Sequence, residues 1–127
     1  MPFDWNNFLS LAEQLALNDN DASKRTAISR AYYCVYNLAF ARAESTVGEK
    51  PRRATYHQWC WDQYIGTDDP GCRQLGITGQ RMKESRVRAD YKAANILRLD
   101  DEVERTLLDA QEFLADLATL DPQYPRP

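Results

Sequence analysis

The sequence predicts an all-α domain, an up-and-down bundle of four to five helices. Three observations carry that expectation. Apolar residues recur at helical spacing in segment after segment, and no stretch alternates convincingly at period two. Turn-forming clusters, such as Asn18-Asp19-Asn20-Asp21, separate those segments. At 127 residues, with 43% hydrophobic and 28% charged side chains, the chain fits one domain with a core of its own.

The first helix is expected from about Trp5 to Leu17, with Asp4 as N-cap. Trp5, Phe8, Leu9, Ala12 and Leu15 fall on one face. The second begins near Ala22 or Ser23 and reaches about Ser45, where Gly48 and Pro51 close it off. Ile28, Tyr32, Val35 and Ala39 form one stripe; Tyr33, Tyr36 and Phe40 form another. A helix apolar on more than one side is central to its fold or buries a face against a second subunit.

A third helix, about Arg53 to Tyr64, brings Tyr56, Trp59, Cys60 and Tyr64 into register. Trp59 reads as core, and Trp61, two positions on, as the exposed contact. Gly66 to Gly79 holds four of the five glycines and reads as a loop with a weak helical start near Arg73. Gln80 to about Tyr91 then forms a fourth, polar helix. Asp100 or Asp101 is expected to cap a last helix to about Leu120. Asp101 and Glu104 resemble a capping box, and Val103, Leu107, Ala110, Leu114 and Leu117 supply the apolar stripe. The domain core spans about 5–120; the proline-rich tail 121–127 cannot stay helical.

The net charge of −3 conceals segregation. Residues 24–53 carry seven bases against two acids and residues 73–98 the same, whereas 99–121 carry eight acids and Arg105. Either the basic segments present a phosphate-binding surface, or basic and acidic helices pair within the fold or across a dimer. Three scattered cysteines and one histidine do not make a metal site, and no cofactor is expected. No apolar run is long enough to span a membrane. With no signal-type start, a cytoplasmic location is the expectation.

Three segments carry the chemistry: Ser29-Arg30-Ala31-Tyr32-Tyr33, Tyr56-His57, and Arg86-Val87-Arg88-Ala89-Asp90-Tyr91. Arg86 and Asp90 are four apart and share a helical face, joining a five-donor guanidinium to its natural acceptor. In order and spacing the set resembles the HEPN superfamily, specifically the small bacterial and archaeal branch with RAYYAxF and RxxADY helices. Ala110-Gln-Glu-Phe-Leu-Ala-Asp-Leu117 suits its final helix, and the likeness spans about residues 5–120.

That resemblance implies a homodimer formed through long helices. It also implies a nucleotidyltransferase-type antitoxin partner, within a toxin–antitoxin or defence-type module. In catalytic members an Arg-x4–6-His motif from each subunit meets in the dimer cleft and cleaves RNA without metal. Arg86 occupies the motif's arginine, Tyr91 stands where its histidine would sit, and Asp90-Tyr91 match the "ADY" version. Asn37 replaces a histidine frequent in this branch.

Three function readings follow. In one, the chain acts through partners, with RNA or nucleotide engaged by Arg30, Tyr33, Asn37, Arg52 and Arg53. In another it is a metal-independent endoribonuclease using Arg86, Asp90, Tyr91 and His57. Arg52-Arg-Ala-Thr-Tyr-His57 also has Arg-x4-His spacing; His57 either reaches toward Arg86 and Tyr91 in the folded bundle or serves as a helix-capping or interfacial histidine. A third possibility is an interaction module modified on Tyr91 or Tyr124. Structurally, Arg30 and Asp90 are expected to form a buried pair between the second and fourth helices. The aromatic set Tyr56, Trp59, Trp61 and Tyr64 could stack bases beside Arg52 and Arg53.

Overall fold

A computed structural model describes residues 2–127. Five helices follow one another: α1 Asn6–Leu15, α2 Asp21–Thr46, α3 Tyr56–Ile65, α4 Pro70–Tyr91 and α5 Leu99–Thr119. The described residues contain no strand, so the domain is an all-α bundle. Helix α2 contacts each of the other four, which explains why it is apolar on more than one side. Ala27, Ile28, Ala31, Tyr32, Val35 and Ala39 are all buried along it.

Side-chain caps set two of the five helix starts, those of α2 and α4. Trp5, not Asp4, is the N-cap residue of α1, and Asp4 Oδ1 accepts the Asn6 N–H at 3.0 Å from one residue upstream. Asn20 caps α2 by accepting the Ser23 N–H at 2.8 Å. Asp69 caps α4 through the Cys72 N–H at 2.9 Å, with Pro70 in the first turn.

That last cap corrects the sequence reading of 66–79 as a loop: α4 is continuous from Pro70 to Tyr91. Its glycines serve close approach rather than a turn. A Cβ on Gly79 would lie 2.3 Å from the Trp61 ring, and one on Gly76 would lie 2.6 Å from Ile65 Cγ1. Trp61 is accordingly fully buried, not the exposed contact its spacing suggested, and Trp59 is 8% exposed.

Helix α5 starts earlier than expected. Arg98 adopts a left-handed conformation (φ 58°) ahead of it, and no side chain caps it. Asp101 therefore lies inside the first turn, where its carboxylate accepts from Arg98 Nε at 2.7 Å instead of forming a capping box. The tail leaves the helix as expected but stays docked. Arg42 donates to the carbonyls of Leu117, Leu120, Asp121 and Tyr124 at 2.7–3.1 Å, and Pro125 is buried.

Much of the segregated charge is neutralised inside the bundle. Arg81 pairs with Asp109 (2.8 Å), Lys24 with Asp100 (2.6 Å), and Arg88 with Glu102. Among the described residues, the side chains of Arg52, Arg53, Lys83, Lys92 and Arg105 make neither an ion pair nor a hydrogen bond.

Candidate functional site

Where α2, α3 and α4 meet, aromatic rings and guanidiniums alternate. Arg30 lies over Phe8 (4.7 Å) and Tyr33 (5.0 Å). Arg86 lies over Tyr33 (5.3 Å) and Tyr32 (5.6 Å). These are cation–π contacts at a partly desolvated site, where they count for more than at an open surface. Helical spacing explains the arrangement: Arg30 and Tyr33 are three apart on α2, while Tyr32 and Tyr36, four apart, turn toward α3.

His57, in the first turn of α3, packs against that second pair. Its ring stacks on Tyr36 at 4.0 Å and 15°, and its Nδ1 lies 2.6 Å from the Tyr32 hydroxyl. The Trp61 indole N–H donates to the same hydroxyl oxygen at 3.1 Å. Indole nitrogen only donates, so Tyr32 accepts from Trp61 and directs its own proton to Nδ1. The neutral imidazole then carries its proton on Nε2, a tautomer assigned from the hydrogen-bond network. Burial, the charge of Arg86 and the charge of Lys83 lower the His57 pKa to about 4. At neutral pH His57 is an uncharged ring offering one N–H.

Arg86 is 7% exposed, and its Nε has no hydrogen-bond partner. Its Nη1 faces Asp90 Oδ2 at 3.6 Å, a loose ion pair whose carboxylate side chain is 30% exposed. Asp90 Oδ2 also accepts the Ser29 hydroxyl at 3.3 Å, and Arg30 donates to that same hydroxyl at 3.3 Å. The expected Arg30–Asp90 pair is therefore replaced by a relay through Ser29, and Asp90 pairs along its own helix with Arg86. Arg25 fixes the end of that helix by donating to the carbonyls of Ala89, Lys92 and Ala94.

The structure thus brings Arg30, Tyr33, His57, Arg86 and Asp90 into one neighbourhood. It leaves Tyr91 outside, 75% exposed at the end of α4. Asn37 donates to the Tyr33 backbone carbonyl at 2.7 Å, a bond internal to α2. Arg52 and Arg53 lie exposed on the turn before α3, and no hydrogen bond joins Arg52 to His57, whose ring nitrogen pairs with Tyr32. Sequence reasoning missed Tyr32, Tyr36 and Lys83. The i, i+4 spacing of the two tyrosines was the available signal, but it reads equally well as core.

Other groups offer less. Burial raises the pKa of the Cys34 thiol to about 11 and also raises those of Cys60 and Cys72, which keeps all three protonated. A cleft of about 620 Å³ between α4 and α5 is lined by Asp69, Asp109, Glu112, Asp116 and Asp121, with Arg81 across it. No three metal-ligating side chains converge among the described residues. Among the described residues no helix is long and apolar enough to cross a membrane. A scan against protein-family models found no match, nor did searches of curated proteins and of solved structures.

Proposed function

We propose that this chain is an HEPN-like domain that acts through partners and engages RNA or nucleotide without cutting it. The partners this reading calls for are a second copy of the chain and a nucleotidyltransferase-type antitoxin, in a toxin–antitoxin or defence-type module. The observation that carries it is the Tyr32–His57 hydrogen bond. A general base needs a free lone pair facing the substrate and a pKa near the working pH. Here the Nδ1 lone pair is taken by Tyr32, Nε2 bears the proton, and the pKa of about 4 keeps the ring from serving as a charged acid. Arg86, mostly buried, is better placed to hold α2 against α4 than to meet a phosphorane.

Incubating the purified chain with labelled structured RNA in EDTA tests this. The expected result is complex formation with the RNA intact. Cleavage that disappears in Arg86→Ala would establish the endoribonuclease reading instead.

One observation favours a second reading, an interaction module modified on tyrosine: Tyr91 is 75% exposed beside Lys92. Tyr124 is a poorer acceptor, since it is half-buried and donates to Asp68 at 3.2 Å. An intact mass unchanged after co-expression with the partner would count against that reading.

A further inference from the structure

Three large aromatic side chains stand well exposed: Phe3, Tyr56 and Tyr91. Phe3 packs within a cluster with Trp5 and Phe8. Tyr91 makes no aromatic contact and no hydrogen bond that would hold its ring. Tyr56 differs from both: it is 60% exposed yet buttressed. Phe40 supports it at 5.7 Å, and the Lys50 ammonium sits 4.4 Å from its centroid. Lys50 is itself fixed by the carbonyls of Pro51 (2.9 Å) and Ala54 (2.7 Å).

The turn leading into Tyr56 carries Arg52 and Arg53, both exposed and both without a carboxylate. Lys83, Lys92 and Arg105 are also unpaired, but Arg52 and Arg53 are adjacent in sequence and stand on the turn that leads into the buttressed ring. Glu49 is the one acid in that turn, against Lys50, Arg52 and Arg53. Helix α3 begins there with no acid in its first turn and no side-chain cap. Its first backbone N–H groups therefore add to the positive field.

We propose that Tyr56, Arg52 and Arg53 form a docking platform for single-stranded nucleic acid. One base would stack on the exposed part of the Tyr56 ring, and neighbouring phosphates would meet the two guanidiniums. A fixed aromatic ring beside unpaired cations is the chemistry that non-sequence-specific single-strand binders use. An acidic peptide would use the cations and leave the ring idle. The proposal rests on the RNA-engaging reading above and adds where the strand runs, on the α2–α3 turn rather than over Arg86.

The test is binding of the full chain to a fluorescein-labelled oligouridylate 12-mer, to a duplex of equal length and to polyglutamate. The single strand is expected to bind tighter than the duplex. Tyr56→Ala should weaken it about 5- to 150-fold and Tyr56→Phe should leave it unchanged. The double variant Arg52→Ala/Arg53→Ala should lower the slope of log K against log salt by about 1.4. If the wild type binds and Tyr56→Ala binds equally, the platform is wrong while the RNA-engaging reading stands. If the wild type binds neither nucleic acid, that reading fails and takes the platform with it. Polyglutamate competing as well as the 12-mer would assign the patch to acidic proteins and overturn the proposal.

Discussion

The hydroxyl of Tyr32 stands 2.6 Å from Nδ1 of His57, joining the buried face of α2 to the first turn of α3. Because Trp61 donates to the same oxygen, one hydroxyl satisfies the buried indole and the half-buried imidazole at once. Tyr32→Phe keeps the ring and its stacking but leaves the indole N–H without an acceptor and Nδ1 without a donor. The expected cost is about 1–3 kcal/mol, read as a lower denaturant midpoint at unchanged m-value. Histidine nitrogen chemical shifts should move toward a mixture of tautomers in the same variant. A single Nε2–H tautomer persisting there would show that something other than Tyr32 selects it.

The same ring makes stability depend on pH in a definite direction. His57 titrates at about 4 in the folded chain against 6.5 ordinarily, so the unfolded chain takes up its proton first as pH falls. Its contribution is complete above about pH 6.5 and is lost as pH falls through that value toward 4. Carboxylates titrate at the lower end of this window, so the wild type must be compared with His57→Gln. Denaturant midpoints at pH 7.5, 6 and 5 should fall more steeply for the wild type. Parallel curves would mean that His57 protonates in the folded state at an ordinary pKa.

Gly79 and Gly76 test why α4 is one helix. In an exposed helix, glycine to alanine stabilises by about 1 kcal/mol. Here the added methyl would lie 2.3–2.5 Å from three atoms of the Trp61 ring, or within 2.9 Å of Ile65 and Tyr64. Gly79→Ala is therefore expected to destabilise, by about 1–3 kcal/mol as overpacking does, despite its better helix propensity. Thermal unfolding with the Trp61 environment followed by near-UV circular dichroism reads both effects. A Tm at or above the wild type's would mean that α3 and α4 separate easily.

These glycines also mark the limit of what the sequence discloses. Helices α1 and α5 were legible because an apolar stripe and a polar face coincide in each, and α2 because its apolar residues keep helical spacing on more than one side. The first half of α4 was not, because a glycine that admits an indole looks, in one dimension, like a glycine that makes a turn. Trp61 misled for the matching reason: spacing from Trp59 points it away from one neighbour but is silent about a second helix lying there. At the candidate site, Arg30, His57, Arg86 and Asp90 could be named from motif order. The Ser29 relay could not, since an i, i+1 step between Ser29 and Arg30 gives no sign that both turn toward Asp90.

Arg42 makes most of the hydrogen bonds that dock the tail, beside the Tyr124–Asp68 bond and buried Pro125. Arg42 donates to four carbonyls spanning Leu117 to Tyr124, a fan of donors that lysine cannot reproduce. Arg42→Lys is expected to cost about 1–3 kcal/mol and to release residues 121–125. Amide exchange in that segment should approach the rate of unstructured chain while the α2 core stays protected. Unchanged protection would place the docking energy in buried Pro125 instead.

Arg86 and Asp90 should respond asymmetrically to substitution. Arg86 is buried with Nε already unpartnered, so removing Asp90 leaves a largely desolvated cation compensated by the faces of Tyr32 and Tyr33 and by slight solvent contact. Breaking a buried pair in this way typically costs about 3–5 kcal/mol. The 3.6 Å separation and the 30% exposure of the carboxylate place Asp90→Ala toward the lower end. Arg86→Met removes the charge that burial penalises and keeps most of the volume between the two rings. The freed Asp90 retains Ser29 and solvent. Arg86→Met should therefore cost less than Asp90→Ala, and the double variant should recover part of the loss caused by Asp90→Ala alone. Chemical denaturation of the three variants reads the coupling directly. Strict additivity would mean that Arg86 is held by its aromatic neighbours rather than by the carboxylate four residues on.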